Sequence, residues 1–119
     1  MITLKFPFRA ISKDNEKRYN ASGCAFTSKK FKDFEELIKW TSKRQYSEPP
    51  LEVDLNVSMY FEFKTKVHCD MFNLPKSIAD ALQGICYVND RQIKCGFLQI
   101  WEKQQSDNFS VVIEEMPNE

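Results

Sequence analysis

Between Leu51 and Phe63 the chain alternates without a break. Leu51, Val53, Leu55, Val57, Met59, Phe61 and Phe63 are separated by Glu52, Asp54, Asn56, Ser58, Tyr60 and Glu62. Successive side chains of a strand point to opposite faces, so this period of two predicts one long strand with a single buried face, the backbone of a sheet. Upstream the period changes. From about Ser28, a candidate N-cap, Phe31, Phe34, Leu37, Ile38 and Trp40 recur at helical spacing among Lys32, Glu35, Glu36 and Lys39. That pattern predicts an amphipathic helix ending near Arg44, its aromatic stripe turned to the core. Pro49 and Pro50 then break the chain.

Asp70 to Gly84 reads as a second helix with its approach: Asn73 at the N-cap, Pro75 in the first turn where its missing N–H costs nothing, and Gly84 as the stop. Leu74, Ile78 and Leu82 share one face, and Lys76 and Asp80 share another. Tyr87 and Val88 lead to a turn around Asn89 and Asp90. Met1 to Phe8 predicts a short strand stopped by Pro7. Residues 9–30, with Arg9, Lys13, Lys17, Arg18, Lys29 and Lys30, predict a long basic loop or hairpin. Residues 93–101 and 109–116 predict two strands joined by Lys103 to Asn108 as an antiparallel hairpin. With no repeat, low-complexity tract or linker, the expected architecture is a single α+β domain over residues 1–119: a mixed sheet of about four strands carrying two helices.

Composition narrows the class. Apolar residues make up 42% of the chain and ten phenylalanines are among them, which supplies one compact core and argues against disorder or fibre. No run approaches the roughly 18 consecutive apolar residues of a membrane span, and the N-terminus lacks the apolar stretch of a signal peptide, so a cytoplasmic location is expected. Cys24, Cys69, Cys86 and Cys95 are too scattered for a disulfide framework, and reduced thiols are expected. Net charge is zero, yet residues 1–50 hold 11 Lys/Arg against 6 Asp/Glu and residues 51–119 hold 6 against 11. A basic segment beside an acidic one suits an enzyme that grips a polyanion with one part and metal ions with the other, and it equally suits a solvated surface of mixed charge.

Asp70 before the second helix, Lys76 in its first turns and Asp90 in the turn after it can all lie near one end of the sheet. Two aspartates could hold a hard divalent cation such as Mg²⁺, or Mn²⁺ in its place, and a lysine beside them could offset charge developing on a phosphate. Each residue also has a structural role open to it. Asp70 can oppose the helix dipole, Asp90 can be an ordinary turn residue, and Lys76 a solvated helix lysine. Lys17, Lys29, Lys30 and Lys76 are the candidate contacts to the phosphates of a bound polyanion. His68 and Cys69 with Cys86 and Cys95 suggest zinc only weakly, because no Cys-x-x-Cys pair is present.

The run Asp70-Met71-Phe72-Asn73-Leu74-Pro75-Lys76, then Asp80-Ala81-Leu82, Gly84-Ile85 and Asn89-Asp90-Arg91-Gln92-Ile93, resembles the signature of the RusA family of Holliday-junction endonucleases. There the pattern is Asp-x-Asp-Asn-Leu-x-Lys, Asp-Ala-Leu, a glycine turn and Asp-Asp-x-Gln with an aliphatic residue. Phe6-Pro7-Phe8 and Ser28 to Phe34 match more loosely. The resemblance implies a Mg²⁺-dependent homodimer that recognises the four-way DNA junction by shape and cuts two strands symmetrically. Asp70 and Asp90 would carry the metal and Lys76 would act at the scissile phosphate. Two positions depart from the pattern: Phe72 stands where the second aspartate belongs, and Asn89 replaces the first acid of the later pair. Phenylalanine cannot ligate a cation, whereas the carbonyl oxygen of Asn89 can. Asp80 is a candidate to compensate, but an i,i+4 salt bridge to Lys76 is the favoured reading of it over ligation, and Glu62 and His68 are weaker ligand candidates. The alternative is a catalytically weak or inactive dimer that binds branched DNA without cutting it, and an unrelated small domain would require the match to be accidental.

Overall fold

The computed structural model describes residues 1–12, 17–19, 25–27, 29–66 and 73–117. In chain order the elements are β1 (Ile2–Phe6), β2 (Lys17–Tyr19), β3 (Ala25–Thr27), α1 (Lys29–Gln45), β4 (Leu55–Glu62), α2 (Leu74–Leu82), a 3₁₀ turn (Asp90–Gln92), β5 (Ile93–Cys95), β6 (Leu98–Trp101) and β7 (Asn108–Glu115). The expected α+β class holds: β1, β7, β4, β5 and β6 form a mixed five-stranded sheet with α1 and α2 on it, and β2 pairs with β3 in a separate antiparallel hairpin.

β4 is the centre of the sheet, as its alternation requires. Leu55, Val57, Met59, Phe61 and Phe63 are buried, while Asn56, Ser58, Tyr60 and Glu62 on the other face are half-exposed. The strand is shorter than the pattern. Leu51 makes an isolated bridge to Tyr87 and Val53 is exposed, so the segment before β4 is tied to the turn after α2 instead of to the sheet.

The hairpin expected from residues 93–101 and 109–116 does not form. β6 pairs with β4 in parallel, Met59 opposite Leu98, and β7 pairs antiparallel with the other side of β4, Met59 opposite Val111. The connection crosses the end of β4, where the Gln104 N–H donates to Phe63 O at 2.9 Å and the Lys64 N–H donates to Asp107 Oδ1 at 2.8 Å. A polar link of this length can span one intervening strand as well as close a two-strand turn, and the apolar pattern of the flanking strands does not distinguish the two.

Residues 93–101 are also two strands. The register shifts between Leu55 and Asn56, and Gly96 lies against β4 so closely that a Cβ there would meet Val57 O at 1.9 Å. Only glycine permits that approach.

α1 buries Phe31, Phe34, Ile38 and Ser42. Leu37 and Trp40, expected in the same stripe, are 41% and 59% exposed. Trp40 follows Phe31 by nine residues, about two and a half turns, which puts it on the opposite face. There the Arg44 guanidinium lies 4.7 Å from its ring centroid. The Gln45 amide fastens the far end of α1 to β1, accepting from Lys5 N–H at 2.8 Å and donating to Lys5 O at 2.7 Å. The expected cap, Ser28, lies outside the described residues.

In α2, Leu74, Ser77, Ile78, Ala81 and Leu82 face the core. Asn73 takes the N-cap position but its side chain makes no capping hydrogen bond, because its backbone is itself near-helical (φ −87°, ψ −20°). Pro75 lies in the first turn, and Gly84 follows Gln83 with φ +82° as a stop should.

Candidate active site

Burying the Leu74/Ile78/Leu82 face turns Pro75, Lys76 and Ala79 toward the sheet edge where β5 and β6 leave β4. A cleft of about 480 Å³ opens there, lined by Val57, Met59, Pro75, Lys76, Ala79, Asp90, Ile93, Cys95, Gly96, Phe97 and Leu98. Lys76 and Asp90, 14 positions apart in sequence, are the charged residues among this lining. Two of the three residues named from the sequence thus meet in one cavity. Asp70 lies outside the described residues, with Phe72, His68 and Cys69.

The loop that carries Asp90 is held with unusual completeness. The Asp90 N–H donates to Gln83 Oε1 at 3.0 Å. Asn89 caps the 3₁₀ turn: its Oδ1 accepts from Arg91 N–H at 2.8 Å, and its own N–H donates to Gln92 Oε1 at 2.8 Å. The carbonyl oxygen expected as a substitute ligand is therefore already engaged, with one lone pair left. Gln92 Oε1 also accepts from Val88 N–H at 2.9 Å, while Gln92 Nε2 donates to Leu51 O at 2.8 Å and Val53 O at 2.9 Å. Behind the cleft Tyr87 is fully buried and donates to Ala79 O at 2.6 Å. Burial, and then the charges of Cys86, Asp90 and Asp80, push its phenol far above the ordinary range, so Tyr87 stays a neutral donor.

Asp80 is exposed and does not line the cleft, and no ion pair joins it to Lys76 among the described residues. Glu62 lies at another cavity, with Tyr60 and Trp101. Lys29 and Lys30 are exposed in the first turn of α1, which holds no acidic residue, and Lys17 sits in β2 opposite Thr27. Of the suggested zinc set, Cys95 is exposed and Cys86 is buried, with burial pushing its thiol up to about 11, which disfavours the thiolate that zinc takes.

A hard divalent cation fits the Asp90 side of the cleft in donor chemistry. Asp90 presents a half-buried carboxylate with no ion-pair partner among the described residues, open to a cavity with room for water and phosphate oxygens. No group of three or more His, Cys, Asp or Glu gathers among the described residues, and Asp90 is the one carboxylate among the described residues that line this cleft. Gly96 and the two glutamines were not singled out from sequence. The Gln in the Asn89 to Ile93 run was the available signal for one of them, and an isolated glycine inside a strand pattern was the signal for the other.

The family model described as Endodeoxyribonuclease RusA matches residues 7–114. The chain belongs to the RusA endodeoxyribonuclease family. No curated protein matches the chain. At the family level these are Holliday-junction resolvases, nucleases of DNA recombination that act on branched DNA and typically depend on a divalent metal. No helix among the described residues is long and apolar enough to cross a membrane.

Proposed function

We propose that this protein is a divalent-metal-dependent endodeoxyribonuclease that resolves four-way DNA junctions as a homodimer, with Asp90, Lys76 and Asp70 as its catalytic residues. The observation that carries the proposal is the meeting of Lys76 and Asp90 in one cleft of a RusA-family chain. Asp90, together with Asp70, would hold Mg²⁺ or Mn²⁺. When bound, such an ion lowers the pKa of a coordinated water and offsets charge on the leaving oxygen. The chain's own contribution is to fix Asp90 on a turn braced at both ends, to bring the Lys76 ammonium toward a phosphate entering the cleft, and to wall the site with Val57, Met59 and Leu98. Lys17, Lys29 and Lys30 would bind phosphates of the junction arms.

Phe72 supports a second reading, a branched-DNA binder with weak or absent cleavage, because it removes a carboxylate from the metal motif. The two separate in one experiment. Asp90→Asn and Lys76→Ala proteins, shown by circular dichroism to be folded, are assayed for binding and cutting of a labelled four-way junction. The nuclease reading expects Mg²⁺-dependent cutting by the wild type, a loss of about 100-fold or more in each variant, and junction binding that survives chelation. Junction binding without cutting by the wild type in any divalent metal would establish the second reading.

A further inference from the structure

We infer that Gln92 is a positioning residue for Asp90, with Gln83 as its second support, so that the cation affinity of the cleft depends on two carboxamides that touch neither ion nor DNA. The inference rests on the reading of Asp90 as a metal ligand and adds what sets its place.

A glutamine side chain can accept two hydrogen bonds and donate two. Gln92 makes all four: it accepts from Val88 N–H and Asn89 N–H at 2.9 and 2.8 Å, and donates to Leu51 O and Val53 O at 2.8 and 2.9 Å. The two N–H donors belong to the turn carrying Asp90, and the bonds Gln92 donates go to the segment leading into β4, 39 to 41 positions away. One amide plane thus locks the Asp90 turn onto the segment that leads into the central strand. The backbone repeats the connection, with Leu51 N–H donating to Cys86 O at 2.9 Å and Val88 N–H to Leu51 O at 3.2 Å. From the other side, Gln83 at the end of α2 accepts the Asp90 N–H at 3.0 Å, which ties the carboxylate's own residue to the helix bearing Lys76.

No other side chain reproduces this. Glutamate would set a carboxylate oxygen against the carbonyls of Leu51 and Val53. Asparagine is one methylene too short to bridge the Val88–Asn89 turn and the Leu51–Val53 segment, and leucine would leave two carbonyls and two N–H groups without the partner they have now. A ligand held to a fraction of an ångström gives tighter metal binding than one that must be ordered by the ion, and loss of such supporting contacts costs about 10–100-fold in metal affinity.

The test uses full-length protein and Mn²⁺ alone as the probe, read by electron paramagnetic resonance, alongside junction binding in EDTA and thermal melting. Gln92→Leu and Gln92→Glu are expected to weaken Mn²⁺ binding at least 10-fold while junction affinity in EDTA stays within about twofold. Gln83→Leu, which removes a single bond to Asp90 and leaves the Gln92 clamp, keeps the question open to a folded protein and is expected to shift binding in the same direction by less. Asp90→Asn separates the two levels. If Asp90→Asn abolishes Mn²⁺ binding but folded Gln92 and Gln83 variants bind as the wild type does, the positioning role is overturned and the ligand reading stands. If Asp90→Asn leaves Mn²⁺ binding unchanged, or the wild type takes up none, the ligand reading fails and the positioning role with it.

Discussion

At the scale of single residues, the positions that carry predictions answer to constraints of different kinds. Gly96 is a steric one: a Cβ there would stand 1.9 Å from the Val57 carbonyl oxygen, so β5 and β6 could not both stay against β4. Gly96→Ala should therefore lower stability by about 1–3 kcal/mol, measured by denaturant unfolding, and open the cleft wall beside Lys76. Phe72 is a chemical constraint. Phe72→Asp adds a carboxylate where the family pattern has one, two residues after Asp70, and the folded variant should cut junctions faster and at lower Mg²⁺ than the wild type. A slower folded variant would contradict that placement. The meeting of Lys76 and Asp90 in one cleft was legible in the sequence because both fall within the runs that resemble one family pattern. The work of Gln92 was not, because three of its four bonds depend on where residues 51, 53 and 88 come to rest, and two of those are about 40 positions away.

At the scale of elements, period was a good guide to what is buried and a poor guide to what pairs. The alternation of β4 and the Leu74/Ile78/Leu82 face of α2 reappear in the fold, since both follow from local geometry. The β6–β7 hairpin failed because strand neighbours are chosen by the whole sheet, and β4 offers both its edges. Trp40 failed for a simpler reason, having the right chemistry on the wrong side of α1. The basic segment around β2, β3 and the start of α1 carries a prediction of its own. Replacing Lys17, Lys29 and Lys30 together should weaken junction binding and flatten its salt dependence by about one unit of logarithmic slope per lost phosphate contact. An unchanged slope would move the DNA to another face.

At the scale of the whole molecule, a four-way junction has two-fold symmetry, and paired cuts on opposing strands call for two active sites in one particle. Sedimentation should give twice the 14.0 kDa mass of one chain. A monomer at micromolar concentration would count against paired cutting. The central question is whether Asp90 and Lys76, with Phe72 in place, still make a working nuclease. The most direct measurement is to incubate the purified wild-type protein with a labelled four-way junction and a matched linear duplex, with Mg²⁺, with Mn²⁺ and with EDTA, and to map the products. The account predicts metal-dependent, symmetrically placed cuts in the junction and none in the duplex. A folded protein that binds the junction and leaves it whole in every metal would contradict it.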